Sequence, residues 1–469
     1  MVVSGIEVSR NNTKDSCWTV IHGQVWDVTD FLDKHPGGAK LILRCAGRDA
    51  TEDYSSIHNP HLIRETLPPD RCLGPVGPST LPNTCSPTEP EKPRQTCPPL
   101  GAIINADDFE RVSERHLSPA GWAYYSSGAE DERSLRDARR VFRRLALRPR
   151  VLRNVDAVST ATDILGFPSS LPFYISPTGQ ANASVESIFA ARSSETQPLF
   201  FQLYVDRNRD KAQGTIRNAE RLGARAIFVI VDSPVIGKRE RDKRLTAGDE
   251  PLSEPGGVAK ATASGLLNAG LTWDDLVWIR ETTALPIVVK GIQSVEDALI
   301  AHERGVDGIV LSNHGGRSQD TAQAPMLTLL EIRRYAPHLL APRAKAGFSI
   351  FVDGGVRRGT DIIKALALGA AAVGIGRPFL YSMTAGYGEA GVRRLVRILR
   401  HELETNMALV GARSVSDIVP ELINSELVEK EVTGRYDEVK YRTAQEKMAS
   451  TKPTEKRPIR EGPIAVGFA

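Results

Sequence analysis

The chain has 469 residues, of which 41% are hydrophobic and 25% are charged, and its formal net charge is +3; this length predicts two or three domains of an ordinary globular protein. The small net charge, and apolar residues at helical intervals within the basic stretch 136–153, favour a solvated helix face over a nucleic-acid-binding patch. No apolar run reaches the roughly twenty residues that cross a membrane, and no signal or transit pattern is seen, so we predict a cytoplasmic protein without membrane contact.

The first predicted unit contains two candidate metal-ligating histidines. A strand-like stretch, WTVIHGQVWDVTDF, is followed by the turn HPGG at His35, and a helix-like run leads to His58 in SSIHNP. Two histidines at loop ends, with apolar and aromatic residues between them, could ligate a haem iron from both sides and leave no position for oxygen. From spacing alone, the alternative is a Pro-Gly-Gly turn plus a surface histidine.

This segment is similar to the cytochrome b5-like haem domains over about residues 5 to 80. The positions that match in the expected frame are Trp18, Val25, Asp27 and Phe31. The resemblance implies that His35 and His58 are the two axial ligands of a b-type haem. It therefore implies an electron-transfer domain, which we assign to residues 1–80.

Residues 67–100 are rich in Pro, Ser, Thr and Glu. Such a composition cannot build a core and tends to stay extended, so we predict a linker at 81–100 that joins two separately folded units. The second folded unit is predicted at 101–420. The remaining residues, 421–469, are charged with little apolar periodicity, which predicts a peripheral C-terminal tail.

In the second unit, short apolar runs alternate with helix-like stretches, which predicts parallel βαβ units. Seven such runs lie at Leu171 to Ser176, Phe200 to Val205, Ala226 to Asp232, Pro286 to Gly291, Gly308 to Asn313, Ser349 to Gly354 and Ala372 to Gly376. A closed barrel and an open doubly wound sheet both fit this alternation. Polar side chains at many strand ends favour the barrel, because barrel enzymes build their active sites there. We therefore predict an α/β fold, a (β/α)8-type TIM barrel preceded by a small α+β domain.

The stretch SNHGGRSQD, from Ser312 to Asp320, carries the most suggestive pair of side chains. His314 can take up a proton near neutral pH, and Arg317 can bind a carboxylate through two parallel hydrogen bonds. Asp232, at the end of an earlier run, could hold the imidazole and favour its charged form, or it could cap a helix. A polar loop after a strand is the alternative for the whole stretch.

Other strand ends add candidate binding residues. Lys290, at the end of PIVVKG, could place a positive charge beside an electron-accepting ring, or it could be a surface lysine. Tyr124 and Tyr204 could hydrogen-bond a substrate, or each could be a core aromatic. Two glycine-rich stretches, DGGVRRG at Asp353 and GIGRPF at Gly374, follow the last two predicted strands. Barrels commonly bind phosphate at that place, so we predict a phosphorylated cofactor.

The second unit resembles the FMN-dependent 2-hydroxy-acid oxidases and dehydrogenases from about Ile103 to about Pro420. The motifs that carry the resemblance are SNHGGR, VFRRLALRPRVL, FFQLYV, PIVVKG and FVDGGVRRGTDIIKALALGA. With the haem domain and the linker before it, the arrangement is similar to the flavocytochrome b2-like L-lactate dehydrogenases. The resemblance implies FMN-dependent oxidation of an L-2-hydroxy acid such as lactate, with electrons passing through haem b to a soluble acceptor such as cytochrome c. It also implies a homo-oligomer, tetrameric in that family, and the mitochondrial intermembrane space as the alternative location.

The same resemblance implies a role for each matching residue. The implied catalytic residues are His314 as the base, Asp232 as its partner and Tyr204 as the contact to the substrate hydroxyl. The other implied substrate-binding residues, which would hold the carboxylate, are Tyr124, Arg239 and Arg317. The implied FMN-binding residues are Thr178, Gln202, Lys290, Asp353, Gly354, Gly355, Arg357, Gly376 and Arg377.

One segment departs from the family. Between Ser176 and Phe200 there is room only for a helix at Val185 to Arg192, where the family has about one further βα unit. Residues 178–183 would either bridge the gap as a makeshift strand or leave the barrel open, and coding sequence lost from the gene model is a third explanation. Ile230 and Ser318 stand where the family usually has threonine and glutamine. A second hypothesis follows, a haem-binding electron carrier or interaction protein whose barrel does not catalyse.

Overall fold

The computed structural model describes residues 2–33, 35, 39–55, 62–77, 97–177, 184–246, 268–340 and 347–432. His58 and Thr178 lie outside these ranges, as do residues 178–183 as a whole and the tail beyond residue 432. The roles predicted for them therefore stay predictions.

The first unit is built on three antiparallel strands in the order β1-β2-β3. They are β1 (Trp18–Ile21), β2 (Gln24–Asp27) and β3 (Cys72–Pro75), and the short helices around them are Gly5–Arg10, Ala39–Leu43, Thr51–Ser55 and Leu62–Thr66. Strand alternation and helix packing bury one apolar core, whose members include Cys17, Ile21, Trp26, Leu32 and Ile63. Short 3-10 helices cover Thr29–Phe31 and Pro69–Arg71.

Helices make up most of the second unit. The α-helices are Ala106–His116, Pro119–Ser126, Arg133–Arg144, Val185–Ala190, Arg209–Arg221, Glu240–Thr246, Asp275–Thr282, Val295–Glu303, Pro325–Tyr335, Gly359–Ala367, Arg377–Thr384, Gly388–Val410 and Glu426–Glu429. The 3-10 helices are Leu100–Ala102, His314–Gly316, Pro337–Leu340, Val415–Asp417 and Pro420–Leu422. The basic stretch near residue 136 forms a helix that buries Ala138, Val141 and Phe142. The predicted amphipathic helix is confirmed for residues 136–144, whereas the rest of the stretch, 145–153, is not helical.

Short strands flank the sheet of the second unit. They are β4 (Ala146–Leu147), β5 (Thr162–Ile164), β6 (Phe167–Ser169) and, near the end of the described chain, β14 (Ile423–Asn424). β5 pairs with β6 and β4 pairs with β14, both antiparallel.

In the described part of the second unit, seven parallel strands form the centre. They are β7 (Phe173–Ile175), β8 (Phe200–Leu203), β9 (Ala226–Ile230), β10 (Ile287–Ile292), β11 (Gly308–Leu311), β12 (Ser349–Asp353) and β13 (Ala372–Ile375). Each overlaps one of the seven predicted runs. The strands from β9 to β11 are buried on both faces, as parallel strands covered by helices should be.

The sheet runs in the order β7-β13-β12-β11-β10-β9-β8, so β7 and β8 form its two ends. The predicted barrel with about seven strands, short of one βα unit, is confirmed. Within the described ranges β7 pairs with β13 and β8 with β9, and no pairing joins β7 to β8. Because the bridging residues lie outside those ranges, the choice between a makeshift strand and an open gap stays undecided. In the part of the chain that is described, no helix has both the length and the apolarity that crossing a membrane requires.

Candidate active site

His314 and Asp232 meet at the carboxyl edge of the sheet. Asp232 follows β9 and His314 follows β11, and the imidazole Nδ1 lies 2.7 Å from the carboxylate Oδ1. The turn that carries the histidine is unusual, because His314, Gly315 and Gly316 have φ values of +56°, +62° and +72°. Glycine adopts this left-handed region without the strain that a side chain brings, so the two glycines make the turn possible. The predicted pairing of base and carboxylate is therefore present as geometry.

The carboxylate of Asp232 is fully buried, with 0% of its side chain exposed. Burial opposes its ionisation, but Lys290 and His314 outweigh burial and lower the pKa of Asp232 to about 2. An ionised Asp232 can only accept a hydrogen bond, so Nδ1 of His314 must carry the proton. The other ring nitrogen, Nε2, is then free to take up a proton as a base.

Lys290 lies between two carboxylates. Its side chain is 4% exposed, and its Nζ is 3.5 Å from Asp232 Oδ2 and 3.4 Å from Asp353 Oδ2. Nζ also donates to Ser312 Oγ at 2.9 Å. Burial disfavours the ammonium form, but the two aspartates outweigh burial and raise the pKa of Lys290 above its ordinary value. The alternative of a surface lysine is wrong, and a fixed positive charge lies at this strand end.

The lowered pKa of Asp232 predicts a specific loss of stability in acid. Its native pKa of about 2 is below its ordinary value of 3.8, so the unfolded state binds more protons between those pH values. Stability from this group is complete above about pH 5 and falls towards pH 2, by roughly 2–3 kcal/mol in all. We expect the free energy of unfolding of wild type to approach that of Asp232→Asn over this window in urea titrations. A difference between the two proteins that stays constant from pH 5 to pH 3 would contradict the assignment.

Three cationic and aromatic side chains gather beside the base. The guanidinium carbon of Arg317 lies 5.5 Å from the centre of the Tyr124 ring, and that of Arg239 lies 5.8 Å from it. Arg317 Nη1 donates to the backbone carbonyls of Tyr124 and Ser127, at 2.8 and 3.0 Å. Burial, followed by the charges of Arg377 and Arg239, lowers the pKa of Arg317 to about 9. Two neighbouring positive charges oppose that of Arg317, so the cluster suits an anionic ligand.

A second group of arginines lies near the ends of β12 and β13. Arg357 Nε is buried and has no hydrogen-bond partner among the described residues, and burial, followed by Arg139, lowers the pKa of Arg357 to about 10. The helix Arg377–Thr384 begins at Gly376 with no side chain capping its N-terminus. Arg377 itself donates to three backbone carbonyls, those of Tyr125, Gly315 and Ser127, at 2.9–3.1 Å. The carboxylate oxygens nearest to Arg357, Glu110 Oε2 and Asp107 Oδ1, are 3.7 and 3.8 Å from its Nε, beyond hydrogen-bond distance. A buried cation with a donor that makes no hydrogen bond in the described ranges, beside an uncapped helix N-terminus, fits a phosphate.

The end of β12 carries a carboxylate, one oxygen of which makes no hydrogen bond among the described residues, and two glycines follow it. Gly354 and Gly355 have φ values of +85° and +84°, and a Cβ on Gly355 would lie 2.4 Å from the Ala138 carbonyl oxygen. Asp353 accepts from Ser176 Oγ at 3.2 Å through Oδ2, whereas its Oδ1 is buried without a hydrogen-bond partner in the described ranges. A polyol hydroxyl is the kind of group that such an oxygen accepts from. These residues therefore fit the ribityl chain and phosphate of FMN.

The predicted haem site is described only in part. His35 is half-buried, its N–H donates to the Phe31 carbonyl at 3.0 Å, and the two rings stand edge to face with centroids 5.8 Å apart. Val25 is buried, and Asp27 accepts from Thr29 and Arg71. His58, the other predicted ligand, lies outside the described residues.

Several site residues were missed by the sequence analysis. Ser312 Oγ accepts from Lys290 and from the backbone N–H of His314, and Ser233 Oγ lies 3.1 Å from His314 Nδ1. Their position directly at strand ends was the available signal. The predicted contacts Gln202 and Tyr204 do lie at the end of β8, where burial raises the pKa of the Tyr204 hydroxyl beside Lys290 and Asp232.

The comparisons with known proteins agree with this site. Residues 113–184 and 180–425 match the FMN-dependent dehydrogenase family, and residues 5–77 match the family described as cytochrome b5-like heme/steroid binding domain. The two pieces of the flavin match meet at residues 180–184, within the short segment noted in the sequence.

Individual relatives differ in how much of the chain they cover. The L-lactate dehydrogenase (cytochrome) of Saccharomyces cerevisiae is 38% identical, with 94% of this chain and 82% of that protein covered. The glycolate oxidase of Spinacia oleracea is 37% identical, with coverage of 67% and 94%. A solved structure of mutant flavocytochrome b2 with pyruvate bound is similar at a TM-score of 0.65 and 35% identity, with coverage of 79% and 95%. The chain therefore belongs to the FMN-dependent dehydrogenase family and carries a cytochrome b5-like domain ahead of its FMN-dependent part.

Proposed function

We propose that this protein oxidises an L-2-hydroxy acid of lactate-like size to the 2-oxo acid and passes the electrons through its haem to a soluble acceptor such as cytochrome c. The observation that carries the proposal is the hydrogen-bonded pair of His314 and the buried Asp232 beside the arginine cluster of Arg317 and Arg239. The names of the relatives support the choice of substrate and acceptor, because an L-lactate dehydrogenase (cytochrome) is among them.

The residues of the chain divide the reaction between them. Arg317, with Arg239 and Tyr124 beside it, binds the substrate carboxylate and fixes C2 and its hydroxyl near His314. Oxidation removes two electrons and two protons from the hydroxy acid. Nε2 of His314 takes up one of these protons, and the Asp232 carboxylate stabilises the imidazolium that forms. Tyr204, at the end of β8, contacts the substrate hydroxyl.

The cofactors supply the redox chemistry. When bound, FMN would supply the acceptor for the two electrons and the second proton that leave the substrate, and the haem would supply a one-electron relay to the soluble acceptor. The residues that would hold FMN are Thr178, Gln202, Lys290, Asp353, Gly354, Gly355, Arg357, Gly376 and Arg377, and those that would hold the haem are His35 and His58. We assign the haem domain to residues 1–80 and the FMN-dependent domain to residues 101–420. A homo-oligomer and a cytoplasmic location complete the proposal.

Anaerobic mixing of the purified holoprotein with L-lactate tests the function. We expect the flavin absorbance to bleach first and the haem bands of the reduced state to follow, while D-lactate produces neither change. Addition of oxidised cytochrome c should then restore both spectra. Two results would instead support an electron carrier that does not catalyse. One is a protein that contains haem but no stoichiometric flavin, and the other is a flavin that stays oxidised when L-lactate and related acids are added.

Arg317→Lys tests whether Arg317 binds the substrate carboxylate. Lysine keeps the charge but loses the planar pair of donors, and a hydrogen bond to a charged group contributes about 1.5–3 kcal/mol. We therefore expect kcat/KM for L-lactate to fall roughly 10- to 100-fold, mainly through KM. Arg140→Lys, at a side chain that is 69% exposed, is the control and should change neither constant. If KM were unchanged in Arg317→Lys, Arg317 would not be a residue that binds the substrate carboxylate.

A further inference from the structure

The hydroxyls of Ser233 and Ser318 form a pair behind the imidazole of His314. Ser233 Oγ lies 3.1 Å from His314 Nδ1 and 2.7 Å from Ser318 Oγ. It is also 3.5 Å from Asp232 Oδ1. Neither serine is part of the proposed base, carboxylate grip or cofactor site.

The direction of these hydrogen bonds follows from the charge of Asp232. Because Nδ1 carries the proton that Asp232 accepts, Ser233 Oγ can only accept from the same N–H. The hydroxyl hydrogen of Ser233 is then directed to Ser318 Oγ, which offers the shorter of its two remaining contacts. The Nδ1–H group therefore has two acceptors, a carboxylate at 2.7 Å and a hydroxyl at 3.1 Å.

The ring of His314 needs such a restraint. The side chain is 24% exposed, so packing from the surrounding residues does not enclose the ring on every side. A single acceptor lets an imidazole pivot about the N–H···O line, whereas a second acceptor also defines the plane of the ring. Nε2 is aimed at the substrate only when that plane is fixed.

The two loops that carry the serines are packed directly against each other. A Cβ placed on Gly237 would lie 2.1 Å from the Ser318 carbonyl oxygen and 2.4 Å from that of Arg317. Real side chains do not approach backbone so closely, so the segment after Asp232 lies against the backbone of the histidine loop. The hydrogen bond between Ser233 and Ser318 joins the loop of the base to the loop of its carboxylate partner at this junction.

We infer that Ser233 and Ser318 act together as positioning residues that hold the His314 ring in the orientation for proton abstraction. This inference rests on the proposed function, because it concerns the same base. The two hydroxyls act on the rate of the chemical step through His314 and contact neither substrate nor cofactor.

The kinetic test uses Ser233→Ala, Ser318→Ala and the double variant in the holoprotein. The rate of flavin reduction at saturating L-lactate should fall about 10-fold in each single variant, as for other residues that orient a catalytic group. The double variant should be within about twofold of the slower single variant, because the two hydroxyls form one unit. The dissociation constant for pyruvate, read from the flavin spectrum, and the flavin content should stay unchanged.

Two further variants separate positioning from a merely structural effect. Ser233→Thr keeps the hydroxyl and should recover most of the rate. Ser113→Ala removes a fully buried hydroxyl that donates to the Tyr381 carbonyl at 2.9 Å, far along the chain from His314, and should leave the rate unchanged. The inference would be overturned if Ser233→Ala reduced its flavin as fast as Ser113→Ala does, or if Ser233→Ala lost its flavin.

A spectroscopic measurement distinguishes this inference from the proposed function. The hydrogen-bonded Nδ1 proton of His314 should give a downfield proton resonance in the oxidised protein, identified by its absence in His314→Gln. We expect Ser233→Ala and Ser318→Ala to shift it and Ser113→Ala to leave it in place; a resonance unmoved by the first two refutes the inference. If L-lactate did not reduce the wild-type flavin, the proposed function would be wrong. The effect of the serine variants on this resonance would still show whether the serines position His314.

Discussion

His314→Gln is expected to lower the rate of flavin reduction by L-lactate by roughly 10²- to 10⁴-fold, the usual contribution of a general base. Glutamine has a similar size and can still hydrogen-bond Asp232, but it cannot take up a proton near neutral pH. Because the change alters a proton acceptor and no proposed cofactor contact, FMN and haem should remain at wild-type stoichiometry. Stopped-flow absorbance of the flavin measures the rate, and the two cofactor spectra measure the occupancy.

The matched control is His401→Gln, at an exposed position on the helix Gly388–Val410. It should reduce its flavin at the wild-type rate. Retained turnover in His314→Gln would show that the base has been misassigned, whereas loss of flavin would assign the residue to cofactor binding.

Of the substitutions proposed for this protein, Lys290→Met is expected to lower the free energy of unfolding the most. The substitution removes the cation between Asp232 and Asp353, whose side chains are 0% and 7% exposed. Breaking a buried ion pair by removing one partner typically costs about 3–5 kcal/mol, because a buried charge is left uncompensated. We expect unfolding of the FMN-dependent domain at a lower urea concentration and weaker retention of FMN, measured by flavin fluorescence on release.

Two variants define the cause of that loss. Lys211→Met removes an ion pair with Asp206 at a lysine that is 68% exposed, and surface pairs contribute at most about 1 kcal/mol. The double variant Lys290→Met with Asp353→Asn removes one of the two stranded charges and should recover part of the stability. If Lys290→Met were as stable as Lys211→Met, the lysine would not be the counter-charge of the site.

The strands and the edge of the site could be predicted from the sequence, because their signals are local. A run such as PIVVKG indicates both a buried parallel strand and a polar residue at its carboxyl end. Parallel strands bring such ends to one edge, so Asp232 and His314 could be assigned to each other although 82 positions separate them.

The hydrogen bonds within the site could not be predicted in this way. Whether Ser233 faces the imidazole or solvent depends on how closely two loops pack, and that packing depends on Gly237. Strand ends also do not reveal that Lys290 would lie between two carboxylates, since this needs the register of four neighbouring strands. For Arg377, the sequence indicated a phosphate contact but not the backbone carbonyls to which its three side-chain nitrogens donate.

The placement of β7 at one end of the sheet has a consequence for synthesis of the chain. Its pairing partner in the described ranges is β13, with Val373 opposite Phe173, so about two hundred residues are made before this contact becomes possible. Closing so long a loop carries a larger entropic cost than pairing neighbouring strands, and non-local pairing slows folding. Strands β8 to β12 can add to one another as they leave the ribosome. β7, the first strand of the sheet, can pair with β13 only after β13 has been made. This domain therefore completes its sheet only after most of the protein has been translated.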